Sequence, residues 1–374
     1  MQSYDVIVAG AGIIGCSVTR ELARRGLRVL LLDRQEPGKE ASWAAAGMLT
    51  PAAESSEALP LVPFAKASLA LYNAFVAQIE DSTGRKTGYR RQGALEVFFG
   101  DGADQRLAHW LSTVREMGFQ PEPLSAADLR RIEPALADDA AAGACVADEG
   151  AVDNRLLTEA VAEAARREGA ELRTGEEVIR VLIEAGRATG VETRSGRFTA
   201  QHVVLAAGCF TAQIEGIERY APTIPARGQM AALRPASIPV RHVMRGPAYL
   251  VPREDGRLIV GATVERVGYE KAVTPEGITR VLTDAVRMIP SLATAPIVET
   301  WSGLRPDTPD HLPVLGPADL EGLWFATGHF RNGILLAPAT AQALAEWITG
   351  GKTDLPVEGF SPMRFANRAH SAAR

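Results

Sequence analysis

The sequence predicts an α/β fold with a Rossmann-like first domain and a second domain on a mostly antiparallel β-sheet. Three observations predict it. The chain opens with two apolar runs separated by a glycine-rich turn and a helical pattern. Short strand-like segments then recur between 177 and 207, and residues 223–264 look mostly extended, with a hairpin signal inside them.

The first of these observations is a β-α-β unit. Residues 4–9 and 28–33 are short apolar runs that are typical of buried parallel strands. Between them, residues 13–25 place apolar side chains at helical spacing, which predicts the crossover helix. The chain therefore begins with a nucleotide-binding type of fold.

The remaining elements follow from the same patterns. After an Ala/Ser/Gly-rich loop, the sequence predicts helices at 62–82, 104–117, 154–168 and 333–349, and strands at 94–99, 177–183, 189–194, 202–207 and 323–327. Asp255-Gly256 lies between the apolar runs 249–251 and 258–260 and predicts a hairpin turn. The polar tail after Pro362 is expected to be frayed.

Composition limits the possible functions. The 374 residues are 46% hydrophobic and 23% charged, with a formal net charge of −5, which excludes a disordered or fibrous chain and argues against a nucleic-acid partner. Three distant cysteines favour a reducing compartment, and six scattered histidines predict no metal site. The apolar stretch near the start is too short to span a membrane, so we expect a cytoplasmic protein without a membrane partner.

The strongest local motif is the glycine turn after the first strand. Gly10, Gly12 and Gly15 fit G-x-G-x-x-G, in which the glycines permit a tight turn, approach of a pyrophosphate and close helix packing. Asp33 ends the second strand, where a carboxylate can accept hydrogen bonds from an adenosine ribose. The motif leaves NAD and FAD open as ligands. The small residues of 41–49 weakly favour FAD, because they let the main chain approach a flat ring.

Longer motifs make a resemblance specific. Ser42 with 44–49 (Ala-Ala-Ala-Gly-Met-Leu), 303–308 (Gly-Leu-Arg-Pro-Asp-Thr) and 328–338 (Gly-His-Phe-Arg-Asn-Gly-Ile-Leu-Leu-Ala-Pro) resemble the D-amino acid oxidase-like FAD-dependent family, in particular its glycine oxidases of the thiamine-pathway type. The resemblance implies a discontinuous FAD-binding domain of residues 1–85, 146–218 and 306–365. It also implies a substrate-binding domain of residues 86–145 and 219–305, followed by a tail at 366–374.

The resemblance also implies which residues contact FAD. Besides the glycine turn and Asp33, they are Ile13, Ile14, Arg34, Ala41, Ser42, Ala46, Gly47, Met48, Val178, His329, Phe330, Arg331, Asn332, Gly333, Ile334 and Leu335. A helix beginning at Gly333 would point its N-terminal partial charge at the flavin and favour the reduced form. None of Cys16, Cys145 and Cys209 matches the family's site of covalent attachment, so we expect noncovalent FAD.

Substrate contacts are expected from three residues. Arg305 is the main candidate for the substrate carboxylate, because a guanidinium donates to it bidentately and stays charged in a pocket. Tyr249 resembles the family's pocket tyrosine, and Arg331 is a weaker second candidate for the pocket. Val264 stands where related enzymes carry Met, and this shorter side chain would admit amines larger than glycine.

The activity implied is oxidative deamination of glycine, with O2 reduced to hydrogen peroxide. The imine would hydrolyse to glyoxylate and ammonia or be handed to a thiazole synthase for thiamine synthesis. A homo-oligomer, with a tetramer suspected, is expected. The alternatives are an oxidase of sarcosine or small D-amino acids, a dehydrogenase that uses a protein electron acceptor, and a flavin-fold binding module without turnover.

Overall fold

A computed structural model describes residues 4–53 and 56–366 of the chain. Its helices are α1 (Ile13–Arg24), α2 (Ala41–Ala44), α3 (Val62–Thr83), α4 (Ala103–Glu116), α5 (Ala126–Ile132), α6 (Asn154–Arg167), α7 (Pro275–Met288) and α8 (Gly333–Gly350). Its strands are β1 (Tyr4–Ala9), β2 (Val29–Asp33), β3 (Met48–Leu49), β4 (Ala94–Phe99), β5 (Glu122–Ser125), β6 (Ala140–Val146), β7 (Gly150–Ala151), β8 (Glu171–Thr174), β9 (Val178–Glu184), β10 (Arg187–Thr193), β11 (Arg197–Leu205), β12 (Ile224–Leu233), β13 (Val243–Arg245), β14 (Tyr249–Pro252), β15 (Leu258–Gly261), β16 (Ile297–Asp307), β17 (Val314–Pro317) and β18 (Leu323–Thr327).

The first sheet has the order β17-β18-β11-β1-β2-β8, with β10 and β9 attached to β11. Strands β18, β11, β1, β2 and β8 run parallel, and Val6 pairs with Val29 on one side and His202 on the other. Helices α1, α6 and α8 pack together, and their apolar faces share one buried core with β1 and β2. The predicted β-α-β unit is therefore confirmed, and its carboxyl edge opens at the glycine turn.

The second sheet has the order β16-β12-β15-β14-β13-β4-β6-β5. Every neighbouring pair is antiparallel except β13 and β4. Alternation along β16 places Trp301, Gly303 and Arg305 on one face. The mostly antiparallel second sheet is thus confirmed, and one face of it meets the open edge of the first.

Helix α3 lies against α8 and α6. The segment Leu59–Thr83, which contains it, is long and apolar enough to cross a membrane, and 44% of its apolar 18-residue window is buried inside the protein. Helices buried in the core of a protein have the same length and apolar composition. Phe64, Tyr72 and Ile79 on its inner side are fully buried in the core shared with α8.

The sequence-based boundaries agree with the structure for most of the long elements. Helices expected at 62–82 and 154–168 lie at 62–83 and 154–167, and the hairpin at Asp255-Gly256 joins β14 to β15 with Gly256 at φ +86°. The loop at 36–50 contains the short α2 and β3. Most of the tail at 366–374 lies outside the described residues.

Candidate active site

A cavity of about 650 Å³ lies between the carboxyl edge of the first sheet and the inner face of the second. Its size is typical of a cofactor or substrate site. All but two of the residues expected to contact FAD or substrate line this cavity. Those that line it are Gly10, Gly12, Ile13, Ile14, Asp33, Arg34, Ala41, Ser42, Ala46, Gly47, Met48, Val178, Tyr249, Arg305, His329, Phe330, Arg331, Asn332, Gly333 and Ile334. The exceptions, Gly15 and Leu335, lie behind the wall.

The glycine turn has the geometry that the motif predicts. Gly10 has φ +106°, and a Cβ there would lie 2.5 Å from the carbonyl oxygen of Ala206. A Cβ on Gly15 would lie 1.8 Å from the carbonyl oxygen of Gly10, so this glycine serves the packing of helix on strand. A Cβ on Gly12 would meet only the Ser42 hydroxyl, at 3.1 Å, within the cavity wall. Gly12 thus keeps the cavity open where a pyrophosphate would pass.

The start of α1 suits an anion. Gly12 supplies no side-chain cap, and the first turn contains no acidic residue. The N–H of Ile13 donates to Ser42 Oγ at 2.9 Å, which ties this turn to the small-residue segment. The partial positive charge of the helix N-terminus therefore faces the cavity without a competing carboxylate on its own turn.

Asp33 and Arg34 form one end of the cavity. The Asp33 carboxylate accepts backbone N–H groups from Ala11 at 2.6 Å and Gln35 at 2.8 Å, which fixes its orientation. Burial raises the pKa of Asp33 above its ordinary value, against these two N–H donors that lower it. The Arg34 guanidinium stacks 3.7 Å from the centre of the Phe210 ring, and Phe210 also lines the cavity. Sequence reasoning did not identify Phe210.

The small-residue segment 41–49 is held by side chains that sequence reasoning missed. Asn154 Nδ2 donates to the carbonyl oxygens of Ser42 at 2.7 Å and Trp43 at 3.0 Å. The buried Arg253 donates from Nη2 to the Ala46 carbonyl oxygen at 2.9 Å and to Asn154 Oδ1 at 2.8 Å. The position of Arg253 one residue after β14 is the only signal, and it connects the strand of Tyr249 to the wall of the cofactor cavity.

Gly47 lies within that segment in the left-handed region, at φ +68°. A Cβ there would lie 2.0 Å from the carbonyl oxygen of Val152, while the N–H of Val152 donates to the Gly47 carbonyl oxygen at 2.9 Å. The main chain of this segment can therefore lie flat against the cavity.

The start of α8 forms the opposite wall. Phe330 has φ +46°, and its N–H donates to the Pro306 carbonyl oxygen at 2.8 Å, which joins this loop to the end of β16. Asn332 provides no side-chain cap, and the first turn of α8 has no acidic residue. Burial lowers the pKa of His329 to about 3, and its Nε2 lies 3.1 Å from the Thr340 hydroxyl. His329 is therefore neutral, and positive charge here comes from Arg331 and the helix.

Arg305 reaches into the cavity across a glycine. Its Nη1 donates to the Thr263 carbonyl oxygen at 3.1 Å. A Cβ on Gly228 of the neighbouring β12 would lie 2.3 Å from both guanidinium Nη atoms. Gly228 thus makes the space in which the guanidinium lies.

Tyr249 is accommodated in the same way. It pairs across the sheet with Gly261, where a Cβ would lie 2.6 Å from the phenol ring. Burial raises the pKa of Tyr249 above its ordinary value, while the neighbouring Arg305 and Arg331 oppose the rise. The hydroxyl is therefore protonated at neutral pH and able to donate to a carboxylate.

The cavity holds positive charge that the protein leaves without compensation. Among the described residues, neither Arg305 nor Arg331 forms an ion pair with a carboxylate, whereas the cavity-lining Arg245 is paired with Glu96. Arg245 and Glu96 lie in cross-strand register beside Tyr249, and sequence reasoning did not identify them. An anionic ligand would therefore be drawn to the Arg305 end.

Two further residues bear on cofactor and substrate. Cys209 lines the cavity, but burial raises the pKa of its thiol to about 12, so it is protonated and a poor nucleophile. Val264 lines the cavity with half of its surface exposed, which places it at the mouth.

These features fit FAD. The cavity offers a fixed acid for a ribose, an uncapped helix with a glycine turn for a pyrophosphate, main chain of small residues for a flat ring, and the N-terminus of α8 for charge on that ring. They define a flavoprotein-type dinucleotide fold in which one end of the same cavity can bind an anion.

Comparison with known proteins agrees. The family model described as FAD dependent oxidoreductase matches residues 5–347. The chain is 38% identical to the bifunctional protein ThiO/ThiG of Synechocystis sp. over 369 residues, covering 96% of this chain and 54% of that protein. It is 32% identical to the glycine oxidase of Geobacillus kaustophilus, covering 96% and 97% of the two chains.

Solved structures support the same family assignment. The crystal structure of the glycine oxidase from Geobacillus kaustophilus superposes with a TM-score of 0.92 at 31% identity, covering 97% of this chain and 99% of that one. The iminodiacetate oxidase from Chelativorans sp. BNC1 gives a TM-score of 0.88 at 27% identity, covering 96% and 98%. The protein belongs to the family of FAD-dependent oxidoreductases, and FAD is its cofactor. The chain spans about half the length of the ThiO/ThiG relatives it matches.

Proposed function

We propose that this protein oxidises glycine to its imine. The observation that carries the proposal is the pair formed by the Arg305 guanidinium, which has no carboxylate partner among the described residues, and the protonated Tyr249 hydroxyl, together in the FAD cavity. The likeness to glycine oxidases supports it.

The chain's residues act mainly by positioning. Arg305 and Tyr249 hold the carboxylate, so that the α-carbon faces the wall formed by the small-residue segment and α8. FAD held by these residues would supply the acceptor for a hydride from the α-carbon and the two electrons that reduce O2 to hydrogen peroxide. Glu96 is paired with Arg245, and burial lowers the pKa of His329 to about 3, which makes it a poor proton acceptor. Neither residue is therefore assigned as a base, and the substrate amine reacts in its neutral form.

The proposal also covers the two domains, the fate of the imine, and the location and assembly of the enzyme. Residues 1–85, 146–218 and 306–365 bind FAD without a covalent bond, and residues 86–145 and 219–305 bind the substrate. The imine hydrolyses to glyoxylate and ammonia, or is handed to a thiazole synthase, for which the ThiO/ThiG relatives are the support. The enzyme works in the cytoplasm as a homo-oligomer.

The test is a steady-state comparison of glycine, sarcosine and D-alanine, with peroxide measured in air and flavin bleaching measured without oxygen. Glycine is expected to bleach the flavin and yield peroxide. Negligible turnover of glycine beside good turnover of sarcosine or D-alanine would move the assignment to those amines. Bleaching without peroxide would indicate a dehydrogenase with a protein acceptor, and absence of bleaching by all three would refute an amine oxidase.

The role of Arg305 has a test of its own. Arg305→Ala removes a charge-assisted contact worth about 1.5 to 3 kcal/mol, so the KM for glycine should rise roughly ten- to hundredfold while FAD stays bound. Arg280→Ala, which removes an exposed guanidinium on α7, is the matched control. An unchanged KM in Arg305→Ala would refute the assignment.

A second substrate class is favoured by Arg331. This guanidinium lines the same cavity, is exposed, and has no carboxylate partner among the described residues, so it could hold a second carboxylate carried on the substrate nitrogen. The likeness to an iminodiacetate oxidase supports this candidate. Iminodiacetate should then be oxidised, and Arg331→Ala should weaken its kcat/KM more than that of glycine; equal effects on both would exclude the second contact.

A further inference from the structure

The helix whose first turn forms the cavity wall contains a proline. Pro338 lies inside α8, five residues after the helix begins at Gly333. Proline has no N–H to donate to the carbonyl oxygen four residues earlier, which here belongs to Ile334. Ile334 lines the FAD cavity and is buried. The first turn of α8 therefore has a buried carbonyl that the helix itself cannot satisfy.

Helix α3 supplies the missing partners. The Tyr72 hydroxyl donates to the Ile334 carbonyl oxygen at 2.6 Å. The Ser68 hydroxyl donates to the Leu335 carbonyl oxygen at 2.7 Å and accepts the N–H of Ala339 at 3.2 Å. Both side chains are fully buried, and their spacing of four residues places them on one face of α3. Two hydroxyls thus bond to α8 on both sides of its proline.

We propose that Ser68 and Tyr72 are positioning residues that fix the direction of the first turn of α8 and thereby tune how FAD is bound and reduced. A helix that contains a proline bends near the carbonyl that has lost its N–H partner, and hydrogen bonds to that carbonyl determine the bend angle. The N-terminus of α8 carries partial positive charge and no acidic residue in its first turn, so its direction sets the potential at the flavin. This inference rests on the FAD site and is independent of the proposed substrate.

The experiment compares Tyr72→Phe with Tyr89→Phe in the FAD-loaded protein. Tyr89 is a matched control because its ring lies 5.7 Å from that of Tyr72 while its hydroxyl donates to Asn73 on the surface. Three quantities are measured: the midpoint potential of the bound flavin, the Kd for FAD, and the Tm. Tyr72→Phe should disfavour flavin reduction threefold to tenfold, which is a fall of about 15 to 30 mV, and weaken FAD binding by at least threefold.

A double-mutant cycle with Pro338→Ala separates positioning from general stability. Alanine at 338 can donate its N–H to the Ile334 carbonyl oxygen, so Tyr72→Phe should lower the potential by less than half as much in that background. An equal shift in both backgrounds, or a fall in Tm with unchanged potential and Kd, would overturn the proposal. Should Tyr72→Phe alone fail to fold, Ser68→Ala and the Pro338→Ala/Tyr72→Phe double variant carry the same test.

Discussion

Gly228→Ala is expected to disable substrate binding without replacing any charged or catalytic residue. The added Cβ would lie 2.3 Å from the Arg305 guanidinium, whereas a relaxed contact needs about 3.5 Å, so the guanidinium must move by roughly 1.2 Å. The φ angle at Gly228 is not in the left-handed region, so the backbone accepts alanine. A displacement of this size breaks a bidentate contact worth about 1.5 to 3 kcal/mol, and kcat/KM for glycine should fall roughly ten- to hundredfold.

The assay for Gly228→Ala has two parts. Steady-state kinetics on glycine give kcat/KM, and titration of the apoprotein gives the Kd for FAD, which should change by less than about twofold because the clash lies at the substrate end. Introduced into Arg305→Ala, the same substitution should cost almost nothing, since the group it displaces is gone. A fall of less than about threefold in a variant with normal FAD affinity, or a full loss in the Arg305→Ala background, would refute the reasoning.

Three further predictions concern the cofactor turn, a buried acid and the cavity mouth. Gly15→Ala places a Cβ 1.8 Å from a backbone oxygen, so it should abolish FAD binding, while Gly350→Ala, which meets no atom within 4 Å, should bind FAD normally in an absorbance titration. Burial raises the pKa of Glu149 to about 8, so its protonated form stabilises the fold below pH 4.5 and this contribution is lost as the pH rises through 8. In denaturation experiments between pH 5 and 8, the free energy of unfolding of the wild type should fall by up to about 1.4 kcal/mol per pH unit relative to that of Glu149→Gln. The same pH dependence in both proteins would contradict this. Val264→Met narrows the mouth and should lower kcat/KM for sarcosine more than for glycine; an unchanged ratio would show that Val264 does not select substrates.

The parts of the site that the sequence predicts are those with local signals. The turn from Gly10 to Gly15, the acid Asp33 and the start of α8 each depend on residues close together in the chain. Their side chains or main chain line the cavity because strand ends and helix starts of a parallel sheet meet at one edge. Leu335 is predicted to contact FAD beside its neighbour Ile334, but one step of 100° around the helix turns its side chain away from the cavity that Ile334 lines.

The parts that sequence reasoning misses depend on long-range register. The spaces made by Gly228 and Gly261 exist only because β12 and β15 pair with particular strands, and no local pattern predicts that pairing. The sequence pattern does not predict β16, because glycine and proline lie within it, and its pairing with β12 overrides that local preference. Helix α7 is also not among the predicted helices, although the sequence carries a helix-start signal there, with Thr274 as N-cap before Pro275.

The order of strands in the first sheet has a consequence for synthesis. β1 lies between β2 and β11, and β11 pairs on its other side with β18, which comes shortly before α8 in the chain. A chain leaving the ribosome can pair β1 with β2 early, but the other edge of β1 waits for residues 197–205, and the cavity wall waits for α8. Such non-local pairing makes folding slow. The cavity that binds FAD is therefore complete only after α8 has packed against the first sheet, so FAD can bind only late in folding.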